Sequence, residues 1–96
     1  MKPDEASEAD LDRIRTWSGD WPGLLAFMES IWPEYGAVHH KRGRRWHFAT
    51  GGWSGCEEII GAFYANSLAN AVLWESTSRG GRHVLKEPAT KKEGRR

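Results

Sequence analysis

Few residues in this sequence have the type and spacing that chemistry needs. The soft metal ligands are His39, His40, His47, His83 and Cys56. His39 and His40 are adjacent, so on a strand they project to opposite faces and cannot serve one mononuclear site without distortion. His39 and His47 can share a face, but no Cys-x-x-Cys or His-x-x-x-His spacing supports them. Nucleophiles fare no better. Gly52-Trp53-Ser54-Gly55 is not the G-x-S-x-G elbow, because its second glycine comes one residue early. Ser54 instead forms, with Glu57, the S-x-x-E capping box that opens a helix. Cys56 stands at that helix start, where a thiol can be acidified, yet its side faces the expected core. Glu58 alone makes no carboxylate pair. The Gly51-Gly52 turn could cradle a phosphate at the helix start, but no Lys-Ser/Thr follows, and Glu57 and Glu58 would repel an anion. The chain is therefore read as non-catalytic, with no metal and no cofactor.

Charge is the stronger signal. Net charge is +1, yet residues 1–34 hold eight acids against three bases and residues 35–56 hold four bases and no acid. Residues 57–78 hold three acids and no base, and residues 79–96 hold seven bases against two acids. Such blocks either neutralise one another in the fold or form separate faces. Lys41, Arg42, Arg44 and Arg45, with His39 and His47 behind them, make a basic ribbon of groove-entering size. Arg79, Arg82, Lys86 and the Lys91-Lys92 tail extend it if a third strand pairs nearby. The expected contact set is Lys41, Arg42, Arg44, Arg45, His39, His47 and Arg82. It suits phosphates, an acidic protein, or a protein surface that normally holds nucleic acid. The near-zero net charge argues against a dedicated nucleic-acid binder.

These side chains need elements to position them. Asp20 can cap a helix and Pro22 suits its first turn. Leu24, Leu25, Phe27, Met28, Ile31 and Trp32 then recur at helical spacing until Pro33 ends the run. Residues 36–50 read as a β-hairpin with Trp46 and Phe48 on one face and Arg45 and His47 on the other. A three-residue loop of Lys41-Arg42-Gly43 pairs Val38 with Trp46 and keeps the apolar set together. Beyond the glycine pair, with Trp53 as a hydrophobic staple, a helix is expected from Gly55 to about Arg79, stopping at Gly80-Gly81. Its Ile59, Ile60, Phe63, Tyr64, Leu68, Ala71 and Trp74 cover one side. Ala62, Ala65 and Ala69 lie on the other, smooth side, which is covered by the first helix or left as a self-association face. Asn66, Ser67 and Asn70 need hydrogen-bond partners if buried. Arg82–Glu87 makes a short strand stopped by Pro88.

The expected fold class is α+β, in the order α-β-β-α-β, with a long helix packed on a two- or three-stranded antiparallel sheet. A chain of 96 residues and 10.9 kDa allows one domain. It divides into an acidic N-terminal arm or short helix at 1–19, a compact domain at 20–87 and a basic disordered tail at 88–96. The six tryptophans can supply much of the core. No run of 18 apolar residues offers a membrane span, and the acidic N-terminus lacks a signal-peptide h-region. The lone Cys56 excludes an internal disulfide and fits a reducing setting. A cytoplasmic protein without membrane contact is expected.

The block from His39 to Ile60, HHKRGRRWHFATGGWSGCEEII, resembles a group of small phage- and prophage-encoded proteins. Leu73-Trp74-Glu75-Ser76 and Arg79-Gly80-Gly81 extend the resemblance over residues 20–87, and Thr50-Gly51-Gly52-Trp53-Ser54-Gly55 is its most specific part. The resemblance carries over no catalytic residue. It implies a phage product working in the cytoplasm of a bacterial host. The expected partner is a host protein or ribonucleoprotein complex, with inhibition of host defence, in the manner of an anti-CRISPR protein, as the concrete form. Direct nucleic-acid binding through the basic hairpin is the alternative, and a homodimer through the long helix is a further expected contact.

Overall fold

The computed structural model describes residues 7–33, 36–52, 54–78 and 81–88. Helix α1 spans Glu8–Arg15, where Ser7 Oγ caps the Asp10 N–H, acids occupy the first turn and Arg13 and Arg15 the last, as the helix dipole favours. Of the two forms expected near the N-terminus, arm or short helix, residues 8–15 take the helix, and Leu11 and Ile14 are buried. Helix α2 spans Trp21–Ser30. Asp20 caps it through the Gly23 N–H, Pro22 sits in its first turn, and Leu24, Leu25 and Met28 turn inward. The Arg13 guanidinium lies 4.7 Å from the Phe27 ring and 5.3 Å from the Trp17 ring, tying α1 to α2 and to the segment between them.

Strand β1 (Ala37–Lys41) and strand β2 (Arg45–Ala49) form a hairpin around a one-turn tip at Arg42–Arg44. Its loop has the expected three residues, but they are Arg42, Gly43 and Arg44. Val38 therefore pairs with Phe48, and His40 with Trp46, instead of Val38 with Trp46. The slip is by two residues, so each side chain keeps the expected face. Gly43 and Arg44 both adopt positive φ, 72° and 60°, which places the left-handed part of the turn one residue later than Gly43 alone implies.

The expected helix from Gly55 to Arg79 is not continuous. Helix α3 (Ser54–Tyr64) ends before Asn66, whose side chain caps a separate helix, α4 (Ser67–Leu73), through the Ala69 N–H. The chain then turns into strand β3 (Trp74–Ser78), which pairs with strand β4 (Arg82–Lys86). Asn66 wins because its amide also donates to the Ile14 and Trp17 carbonyls at 2.9 Å each, so the break is where α1 is tied in. Asn70 likewise finds partners, the carbonyls of Phe63 and Asn66. The order is therefore α-α-β-β-α-α-β-β, not α-β-β-α-β. The sheet has four antiparallel strands in the order β1-β2-β4-β3. It is α1, and not α2, that lies along α3.

The helices pack on the sheet face that carries Trp46, Phe48 and Leu85, and these join Ile14, Leu24, Trp32, Ile59 and Phe63 in one core. Trp74, expected in that core, is exposed. The helix stop expected at Gly80-Gly81 is overturned because Trp74–Ser78 is already strand, while Trp53 and residues 89–96 of the tail expected at 88–96 lie outside the described residues. Of the smooth helix side, expected to be covered by the first helix or left as a self-association face, Ala62 and Ala69 are buried within the chain and Ala65 is exposed. No helix among the described residues is long and apolar enough to cross a membrane.

One buried hydroxyl joins three parts of this fold. Thr50 follows β2 and is fully buried. Its N–H donates to the Gly81 carbonyl at 2.9 Å, and its Oγ1 donates to Glu57 Oε2 at 3.0 Å and accepts from the Gly52 N–H at 3.2 Å. Glu57, assigned by its spacing to a capping box, thus serves Thr50. Gly81, at φ +79°, lies so close that a Cβ there would collide with Thr50 Oγ1.

Thr50→Val keeps the shape and removes the hydroxyl, leaving the Gly52 N–H and the Glu57 carboxylate without that partner. It should lower unfolding free energy by about 1–3 kcal/mol in urea titration. Asn66→Ala removes a cap and two buried bonds and should lower it by about 2–4 kcal/mol in the same titration.

Candidate functional site

The sheet's second face carries a group of basic residues drawn from three strands. Pleating puts residues that pair across strands on the same face. His39 pairs with His47, and Lys41 with Arg45. On the other side of β2, Arg45 pairs with Lys86, His47 with Val84 and Ala49 with Arg82. This face therefore carries His39, Lys41, Arg45, His47, Arg82 and Lys86, opposite to the helices. His39, Lys41 and Arg82 are exposed, while Arg45, His47 and Lys86 are partly so.

A groove of about 330 Å³ opens here, lined by His39, Lys41, His47, Ala49 and Arg82. The short Ala49 side chain leaves room that a larger residue in β2 would fill. Among the described residues, no carboxylate lines the groove. Burial is the main cause that holds the His47 pKa below its ordinary value, with smaller contributions from the positive charges of Lys41, Arg82, His39 and Arg45. His47 is therefore an uncharged ring at neutral pH, with one nitrogen to donate and one to accept.

The seven residues expected to form the contact set divide. His39, Lys41, His47 and Arg82 meet around the groove. Arg45 shares the face, but its Nε donates to Glu75 Oε2 at 2.7 Å, which offsets its charge. Arg42 is exposed at the hairpin tip. Arg44 lines a different groove of about 470 Å³ at the other end of the sheet, with Trp74, Lys86, Glu87 and Pro88 among its neighbours. The tip is thus not a single contact set. Glu75 was not foreseen because its segment reads as helix, and only the strand pairing of 74–78 brings it across the sheet to Arg45.

The other reactive residues have structural surroundings. His40 is on the helix side, with its ring centroid 4.0 Å from that of Trp46 and its Nε2 3.2 Å from Glu29 Oε1. Cys56 is fully buried; desolvation first, then Glu57, pushes its thiol pKa up. His83 is buried on the helix side, its Nδ1 2.7 Å from the Tyr64 hydroxyl, which is also 2.7 Å from Thr77 Oγ1. Burial pulls the His83 pKa down, against a smaller upward pull from Glu57.

No protein-family model matches this chain, and no match is found among curated proteins or solved structures.

His83 has its pKa lowered by folding, so the unfolded chain takes up the proton first as pH falls. The stability it contributes is complete above the ordinary imidazole value of about 6.5 and is lost progressively below it, as pH falls through the lower folded value. The urea midpoint of the parent should fall between pH 7.5 and pH 5. The fall should be smaller in His83→Gln, which keeps a hydrogen-bonding group beside Tyr64 without the titration.

Proposed function

We propose that this chain is a small phage-type protein that acts without catalysis, by docking on an anionic surface of a host macromolecular complex. One observation carries the reading. Lys41 and Arg82 reach a common groove with His39 and His47, on the sheet face opposite the helices, and no acid among the described residues lines it. A docked partner with negative charge would replace water over these cations and gain from steering by their field. The phage origin and the host as the source of the partner rest on the resemblance described above. Interference with a host defence complex, in the anti-CRISPR manner, is the specific form of this proposal. The cytoplasm is its setting.

A nucleic-acid component of the partner is favoured by a second observation, the placement of these cations along the strands instead of at one point. A tip-centred contact through Arg42 and Arg45 is less favoured, since Arg45 is engaged by Glu75.

The test is affinity capture from bacterial host lysate with the parent chain and two variants of equal thermal stability. Lys41→Glu with Arg82→Glu should abolish recovery of the partner, while Arg42→Glu should leave most of it. Retention of the partner by the double variant would overturn the assignment of this face.

A further inference from the structure

The groove has a geometry that narrows the chemistry of its ligand, and the inference here rests on the docking face proposed above. We propose that the groove across β1, β2 and β4 binds single-stranded nucleic acid, with phosphates at Lys41 and Arg82 and a base against the His39–His47 pair.

The spacing of the cations is the first argument. Lys41 lies in the same cross-strand row as Arg45 and Lys86, and Arg82 lies four residues from Lys86 along β4, two strands away from β1. Standard sheet spacings put the Cα atoms of Lys41 and Arg82 about 17 Å apart. That span exceeds one phosphate group and fits an extended chain of several. With the two side chains laid along the sheet, their charges can engage successive phosphates of an extended polyanion.

The middle of the groove is the second argument. His39 and His47 are directly paired across β1 and β2, so two imidazoles stand side by side between the cations. Histidine rings are among the flat surfaces on which unstacked bases lie. His47 is uncharged at neutral pH because it is partly buried and faces Lys41, Arg82, His39 and Arg45. It offers a neutral face and hydrogen-bonding nitrogens where a base would sit, and the charge is supplied at the two ends. A duplex keeps its bases paired inside and could reach only the cations. The third argument is Ala49, whose small side chain forms part of the lining between Arg82 and the imidazoles and leaves depth for a ring.

Among the described residues, the carboxylate of Glu75 reaches the cations of this face and is taken up by Arg45 at 2.7 Å. Repulsion of the strand is correspondingly reduced. Nothing in the groove reads a base edge in a fixed pattern, so binding should tolerate different sequences, as stacking does.

The experiment is fluorescence anisotropy of a labelled twelve-nucleotide oligothymidylate with the full chain, from 50 to 200 mM salt at pH 7.5. Its comparison arms are a twelve-base-pair duplex and unlabelled inorganic pyrophosphate as competitor. The expected log–log salt slope is about −1.4 for two single-strand phosphate contacts, and Lys41→Ala and Arg82→Ala should each bring it closer to zero by about 0.7. His47→Ala should weaken binding at least about fivefold with the slope unchanged, as loss of a stacking surface does. The duplex should bind more weakly than the single strand, and pyrophosphate should compete only at far higher concentration.

Equal or tighter binding of the duplex overturns the inference, as does a salt slope indifferent to Lys41 and Arg82. Pyrophosphate binding as tight as the oligonucleotide would reassign the groove to a small phosphate ligand. Absence of oligonucleotide binding, together with capture of a host protein that still depends on Lys41 and Arg82 after nuclease treatment, overturns this inference alone. Loss of that dependence removes the docking face as well.

Discussion

The burial of Thr50 is the constraint from which the arrangement of the sheet follows. A hydroxyl and an N–H removed from water must both find partners, or each costs on the order of 1–3 kcal/mol. Here the N–H takes the Gly81 carbonyl, and the hydroxyl takes Glu57 and the Gly52 N–H. The first bond brings the residue preceding β4 against the residue following β2. Pairing then propagates from that point, with Ala49 beside Arg82 and Phe48 beside His83. This is why β4 lies inside the sheet and β3 is left at the edge. The second bond fixes the first turn of α3 to the same end of β2, so the core helix and the inner strand share one anchor.

That anchor also makes the groove. With β4 next to β2, Arg82 comes within reach of His47 and Lys41, which the hairpin alone would leave at some distance from any third cation. With β3 at the edge, Glu75 reaches Arg45 and removes one positive charge from the row. A nearly neutral chain thereby holds a face whose uncompensated charge is local. The acidic residues of α1 contribute to this separation, since Arg15 there is paired with Glu8 and Asp12 within the same helix, far from the sheet's outer face in sequence and in partner.

Much of the local structure could be read from the sequence, and what could not has definite causes. The Asp20 cap with Pro22, the two faces of the hairpin and the strand after Gly81 all depend on neighbouring residues, and all are found. Periodicity fixes the parity of a strand but not its register, which is why the hairpin slips by two while every side chain keeps its face. The continuous helix fails at Asn66, a residue whose amide is satisfied by carbonyls of Ile14 and Trp17, about fifty positions earlier in the chain. No local pattern records such a bond. The segment Trp74–Ser78 follows suit: its strand identity comes from β4, and once it is misread as helix, both Glu75 and the exposure of Trp74 are lost. Of the contact residues, His39 and His47 share a face by the alternation of the hairpin, Lys41 joins them through the shifted loop, and Arg82 does so through its pairing with Ala49. Their meeting in one groove depends on the β2–β4 pairing, which the Thr50–Gly81 bond enforces.

The Thr-Gly-Gly turn is the most motif-like segment of the sequence, and its residues are accounted for by folding. Thr50 is a buried junction, Gly52 supplies it with an N–H and adopts positive φ, and Glu57 is its acceptor. Cys56 beside them is buried with its thiol held protonated. The buried polar atoms of this segment are turned toward one another, while Ser54 and Glu57 remain exposed. The side chains that are offered stand on the other side of the sheet, on β1, β2 and β4, where nothing in the core needs an arginine, a lysine or two histidines. The distinction is physical: buried polar groups here are consumed by their own fold, and the charged groups at the surface groove are not. On the reading proposed above, the choice of partner belongs to the residues at 39, 41, 47 and 82 and not to the turn.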